Sequence, residues 1–239
     1  MKPYQRIAIA ECGEPLVPIP LDVFATECPH AYQKLGAPYG KKSPYYLRKQ
    51  VVARLLQAQQ QLQAYCPGWR IQVFDAYRPI AVQQFMVDHT FAELIQAQGL
   101  QLQELTDIQK QLIWEQVHQF WAVPNMNPAT PPPHSTGAAV DVTLVDASGI
   151  TINMGSPIDE ISPRSYPDFF ANQLETQAQH YHQNRQLLKR IMVSAGFLQH
   201  PNEWWHFSWG DQLWAWLSTG ANPNPVPNAV IARYGRAEP

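Results

Sequence analysis

Charge is scarce in this chain of 239 residues: Asp, Glu, Lys and Arg make up 15%, and 17 basic against 19 acidic side chains leave a formal net charge of -2. So little positive charge, interspersed with negative, offers no electrostatic footprint for nucleic acid or for an anionic membrane surface. Long apolar runs are missing too. The run Ile7-Ala8-Ile9-Ala10 stops at Glu11, well short of a signal-peptide core, and nothing later reaches transmembrane length. Cysteine is limited to Cys12, Cys28 and Cys66, an odd number without ligand-pair spacing. At least one thiol therefore stays unpaired, and a reducing cytoplasmic setting is expected. What remains is 45% hydrophobic, enough for a sizeable core in one domain over 1–239, with a small molecule as the expected partner.

Helical and strand signals alternate along the chain. Ser43-Pro44 reads as a helix start, with Leu47, Val51, Leu55 and Leu62 at helical spacing and an end near Cys66-Pro67-Gly68. A second helix is expected after Pro79, with Val82, Phe85 and Met86 inward. A third begins at the box Thr106 to Gln109 and runs towards Trp121. A fourth carries Leu187, Leu188, Ile191 and Met192 and is terminated by Gly196. Strand character marks Arg70 to Tyr77, Ala138 to Val145 and Trp204 to Trp209. The fold class is α+β, a small central antiparallel sheet flanked by helices. The proline-rich segment Pro124 to Pro133 reads as an irregular loop, and the tail from about Asn222 as an extended, weakly ordered arm.

Two segments carry the chemistry. His134 lies at the end of the proline-rich loop, and Gly137 allows a positive φ or a close backbone approach before the strand that holds Asp141. Strict alternation sends Val140, Val142 and Leu144 to one face and Asp141 and Thr143 to the other, so Asp141 leaves the core side. In the second segment, Glu203-Trp204-Trp205-His206 embeds a carboxylate and an imidazole in aromatic sequence. Residues three apart on an ideal strand face opposite ways, so irregular backbone is expected from Glu203 to Trp205 if both serve one metal. Two imidazoles and a carboxylate, His134, Asp141 and His206, with a fourth position left to water, are the donor set of a hydrolytic Zn²⁺ site, one ion per chain. Glu203 is then the expected base. The remaining histidines, His30, His89, His118, His180, His182 and His200, lack a carboxylate at matching spacing and read as solvated or structural.

These residues resemble the zinc D-alanyl-D-alanine dipeptidases of the VanX type, among the D,D-peptidases that share a fold with hedgehog signalling domains. The resemblance runs from about Leu21 to Asp211. It rests on Phe24-Ala25-Thr26, Asp75-Ala76-Tyr77-Arg78-Pro79, the His134 to Asp141 element, Met154-Gly155-Ser156-Pro157-Ile158-Asp159, Ser194-Ala195-Gly196-Phe197 and Glu203-Trp204-Trp205-His206. It implies the same three zinc ligands and the same base. It further implies that Arg78 stabilises charge on the reacting carbonyl and that Asp159 holds the substrate's ammonium group. Two positions depart from the pattern: Phe24 stands where relatives carry a tyrosine at the substrate's amino end, and Pro132 where they carry a serine. The implied activity is hydrolysis of short D-amino-acid dipeptides, D-Ala-D-Ala first among them. A D,D-carboxypeptidase acting on longer cell-wall peptides and a non-catalytic zinc-binding module are the competing readings.

Overall fold

A computed structural model of the protein describes residues 2–220 and 230–237. The helix expected from Ser43 begins later. Ser43 Oγ instead accepts the Tyr45 amide at 3.2 Å, closing a turn, and Tyr46–Arg48 (β3) pairs antiparallel with Leu16–Pro18 (β1). Leu47 is thus a fully buried strand residue. The helix α2 follows at Lys49–Tyr65 and buries Val51, Val52, Leu55 and Leu62 on one face. A short helix, α1, spans Ala31–Lys34.

A five-stranded sheet carries the site. Its order is Ala25–Thr26 (β2), Arg70–Asp75 (β4), Ala139–Val145 (β5), His206–Ser208 (β7) and Leu198–Gln199 (β6). All neighbours run antiparallel except the edge strand β2, which is parallel to β4. Asp141 pairs in register with Asp75 on one side and His206 on the other. Two distant segments are thereby brought side by side at the end of three adjacent strands.

The core forms on one face of this sheet. Val140, Val142 and Leu144 of β5 join Leu55 and Leu62 of α2 and Leu188, Ile191 and Met192 of the helix α5 (Thr176–Ser194), all buried. Each such aliphatic side chain contributes about 1.5–3 kcal/mol by leaving water. A second cluster surrounds α3 (Ile80–Ala97) and α4 (Asp107–Phe120), with Val82, Met86, Val117 and Trp121 buried and Phe85 partly so. The capping box at Thr106 and Gln109 forms as the sequence indicates. A last helix, α6, spans Gln212–Ser218.

Residues 230–237 fold back against the N-terminal segment. Ala232 N–H donates to Ala8 O at 3.0 Å and Ala10 N–H to Ala232 O at 2.9 Å, while Tyr234 is wholly buried. The expected arm is therefore corrected over 230–237, because these residues cover an N-terminal segment that needs backbone partners. Its prolines, Pro223, Pro225 and Pro227, lie outside the described residues.

Candidate active site and metal centre

The proline-rich loop ends in a 3-10 turn, Pro133–Thr136, and this turn presents His134. Gly137 closes it in the left-handed region, at φ 69° and ψ 20°. A Cβ there would lie 2.3 Å from Leu16 Cδ2, so any other residue would have to displace that side chain as well as adopt an unfavourable backbone angle. Arg48 fastens this turn from below: its amide donates to Gly137 O at 2.8 Å and its Nε to Thr136 O at 2.8 Å.

His134, Asp141 and His206 converge. His134 Nε2 stands 3.1 Å from His206 Nδ1 and 3.2 Å from Asp141 Oδ2, and His206 Nδ1 stands 3.1 Å from Asp141 Oδ1. A tetrahedral zinc with bonds of about 2.0–2.1 Å separates its ligand atoms by about 3.3 Å, and these three distances, two of which end on different oxygens of Asp141, are of that size. Asp141 Oδ1 is buried without a hydrogen-bond partner, an orphan that a cation would satisfy. Electrostatics agree. Burial lowers the pKa of His134, but the charge and hydrogen bond of Asp141, together with Asp75, raise it above the usual histidine value overall, so the spot favours positive charge. Burial holds His206 below the usual value and therefore neutral, as a ligand must be.

The imidazoles are oriented from behind. His134 Nδ1 lies 2.8 Å from Ala76 O, which makes it the protonated nitrogen and leaves Nε2 for a metal. His206 Nε2 lies 3.3 Å from Ser208 Oγ, which in turn donates to Asp211 Oδ2 at 2.9 Å. The site thus presents Nε2 of one ring and Nδ1 of the other.

Glu203 sits in the irregular stretch before β7, as the spacing requires, with a carboxylate oxygen 3.6 Å from His206 Nδ1. Burial and the charge of Asp141 push its pKa well above the ordinary glutamate value, while Lys2 opposes them. His200, set aside on sequence grounds, belongs here: it is buried, its Nδ1 lies 3.6 Å from Glu203 Oε1, and burial keeps it neutral. The repeated spacing of three in His200, Glu203 and His206 was the available signal.

Arg78 is buried and held by four partners. It donates from Nε to Asp75 Oδ2 at 2.8 Å, from Nη1 to Gln83 Oε1 at 2.9 Å, and from Nη2 to Tyr32 Oη at 3.2 Å and Asp141 Oδ2 at 3.3 Å. Its guanidinium also lies over the rings of Tyr32 and Trp121. Asp75, given no role by the sequence, accepts from Tyr39 Oη at 3.0 Å, with His30 Nε2 3.3 Å away. Burial raises its pKa, but Arg78 and the nearby imidazoles bring it below the usual carboxylate value.

Asp159 lines the same cavity as His134, Glu203 and Arg78. It is the one non-glycine with positive φ, 65°, among the described residues, a strained backbone of the sort that functional sites retain. Burial, then the charge of Asp141, push its carboxyl up to about 7. The loop bearing it is held by buried Arg185, which donates to Met154 O at 2.7 Å and to Ser156 Oγ at 3.1 Å. Phe24 does not enter the cavity. It packs in the core at 1% exposure, and the hydroxyl beside Asp159 is that of Tyr32, donating to Oδ2 at 2.7 Å. Pro132 also stays out of the cavity lining, its carbonyl accepting from Ser135 Oγ at 2.7 Å.

The chain resembles known proteins over its whole length. Residues 25–224 match the D-ala-D-ala dipeptidase family of M15 peptidases. A D-alanyl-D-alanine dipeptidase of Synechocystis sp. is 53% identical over 244 residues, covering 100% of this chain and 98% of its own. The D-alanyl-D-alanine dipeptidase of Escherichia coli is 40% identical over 74 residues, 31% of this chain and 36% of that one. Among solved structures, the LD-carboxypeptidase LdcB aligns at a TM-score of 0.44 and 17% identity, over 84% of this chain and 69% of that one. The D,D-pentapeptidase VanY, solved with Zn(II), aligns at 0.44 and 15%, over 87% and 88%. With the matched residues enclosing the whole His134, Asp141, Glu203 and His206 cluster, the chain belongs to the D-ala-D-ala dipeptidase family of M15 peptidases.

Proposed function

We propose that the protein is a zinc-dependent dipeptidase that cleaves D-Ala-D-Ala, with one ion per chain held by His134, Asp141 and His206. The observation that carries this reading is the cluster of donor atoms from His134, Asp141 and His206, all within 4.8 Å of one another, with a buried carboxylate, Glu203, beside it. Held by these residues, a zinc ion would supply Lewis-acid polarisation of the carbonyl and would lower the pKa of a water from about 15.7 towards neutrality. Glu203, with its raised proton affinity, takes the proton of the attacking water and returns it to the leaving amine. Arg78, held rigidly by Asp75, Gln83 and Tyr32, faces the charge that develops on the carbonyl oxygen. Asp159, ionised when an ammonium group arrives, holds the amino end of the substrate, and Tyr32 aligns it.

An amino end recognised inside the cavity favours free dipeptides over acylated wall peptides, which argues against the carboxypeptidase reading. A metal site without chemistry has no use for Glu203. The N-terminal turn is part of the catalytic unit, since Lys2 and Tyr4 line the cavity. The three free thiols accord with a reducing compartment, the cytoplasm. Among the described residues no helix is long and apolar enough to cross a membrane.

Metal analysis alongside hydrolysis of D-Ala-D-Ala, L-Ala-L-Ala and N-acetyl-D-Ala-D-Ala tests the reading. The expected result is about one zinc per chain and cleavage of the first substrate alone. Cleavage of the acetylated substrate at a comparable rate would move the protein to the carboxypeptidases. A zinc-loaded chain inert towards all three would leave a binding module.

A further inference from the structure

The cavity that holds Asp159 and Glu203 has a wall from outside the family match. Residues 25–224 match the family, yet Lys2 and Tyr4, in a 3-10 turn at Pro3–Arg6, line the cavity beside Glu203 and His200. The turn is fixed in place. Tyr4 is 4% exposed, the Lys2 amide donates to Gln5 Oε1 at 2.9 Å, and Gln212 Nε2 of α6 donates to Ile7 O at 2.6 Å and to Ala129 O at 2.9 Å. The bonds between Ala8, Ala10 and Ala232 lock the segment from the other end.

A free dipeptide is a zwitterion, and a site that measures it needs an anion for one end and a cation for the other. Asp159 serves the ammonium. Among the described residues lining the cavity, the cations are Arg78 and Lys2. Arg78, held by Asp75, Asp141, Tyr32 and Gln83, is already assigned to the reacting carbonyl. Lys2 lines the cavity together with Glu203 and His200; burial lowers its pKa, and the charge of Glu203 opposes that and favours the ammonium form. The leaving amine receives its proton from Glu203, and that amine and the substrate's carboxylate are borne by one carbon, within about 4 Å of each other. A cation lining the same cavity as Glu203 is therefore available to the carboxylate.

Building on the dipeptidase reading, we infer that Lys2 is a specificity-determining residue that binds the C-terminal carboxylate of the dipeptide, so that the N-terminal turn completes the substrate pocket. Exclusion of longer peptides then has two gates, Asp159 at the amino end and Lys2 at the carboxyl end.

The test compares wild type, Lys2→Met and Lys2→Arg on D-Ala-D-Ala and on its C-terminal amide. Lys2→Met is expected to lose about 10- to 100-fold in kcat/KM on the acid, mostly through KM, and less than about threefold on the amide. Lys2→Arg, which keeps the charge, should recover most of the loss. Equal losses on acid and amide would mean that Lys2 only tunes Glu203, and would overturn the inference. So would a Lys2→Met enzyme within about twofold of wild type on the acid. A wild-type enzyme inert on D-Ala-D-Ala would bring down the dipeptidase reading itself and this inference with it, an outcome distinct from an active wild type indifferent to Lys2.

Discussion

The hydroxyl of Tyr32 donates to Asp159 Oδ2 at 2.7 Å and receives the Arg78 guanidinium at 3.2 Å, tying the expected ammonium site to the expected oxyanion site through one phenol. Burial keeps that phenol protonated, so it acts as donor to the carboxylate throughout the physiological range. A substrate spanning both groups would find them already spaced.

Asp159→Asn should raise KM for D-Ala-D-Ala by about 10- to 100-fold and leave kcat within about threefold, because the lost ammonium contact is made in ground and transition states alike. Steady-state kinetics at saturating metal give the answer. An unchanged KM would remove Asp159 from substrate recognition.

The same residue makes a stability prediction. Its folded pKa is raised from 3.8 to about 7, so between these values the folded protein holds a proton that the unfolded chain releases. Stability from this group is therefore lost as pH rises through that window. Melting of the metal-free protein should show Asp159→Asn more stable than wild type at about pH 8 and little different at about pH 4. A reversed order would contradict the raised pKa.

Glu203→Gln should keep zinc near one per chain while kcat falls by about 10²–10⁴. Ser208→Ala should do the opposite, weakening zinc by about 10- to 100-fold in chelator competition because His206 loses the hydroxyl that orients it, with activity restored by excess metal. If both variants lose metal equally, Glu203 is a ligand rather than a base.

Arg78→Lys should lose about 10²–10³ in kcat with metal retained, since an ammonium cannot reproduce the fork that meets Asp75, Gln83 and Tyr32 at once. A loss confined to KM would place Arg78 in binding instead.

Gly137→Ala should destabilise the protein by about 1–3 kcal/mol, from positive φ and the clash with Leu16, and should weaken metal binding by shifting the His134 turn. Thermal melting and zinc titration report the two effects separately.

The sequence by itself determined the elements whose causes are local. Alternation in β5 placed Val140 and Val142 in the core and Asp141 in the site, the capping box at Thr106 formed, and the spacing of Glu203 and His206 required the irregular backbone that is present. The three candidate ligands were legible because a hydrolytic metal site needs few residue types, and this chain offers few in such company. Long-range pairing decided the rest. Ser43-Pro44 resembles a helix start, but β1 recruited the following residues into a ladder. Tyr32 reaches Asp159 across 127 positions, so no spacing rule could prefer it to Phe24. Asp75, His200 and Lys2 carry ordinary local sequence and gain their meaning only when strands and chain ends converge. Hydrogen-bond donors and charges in a cavity are selected by distance in space, and that distance is a property of the folded chain alone.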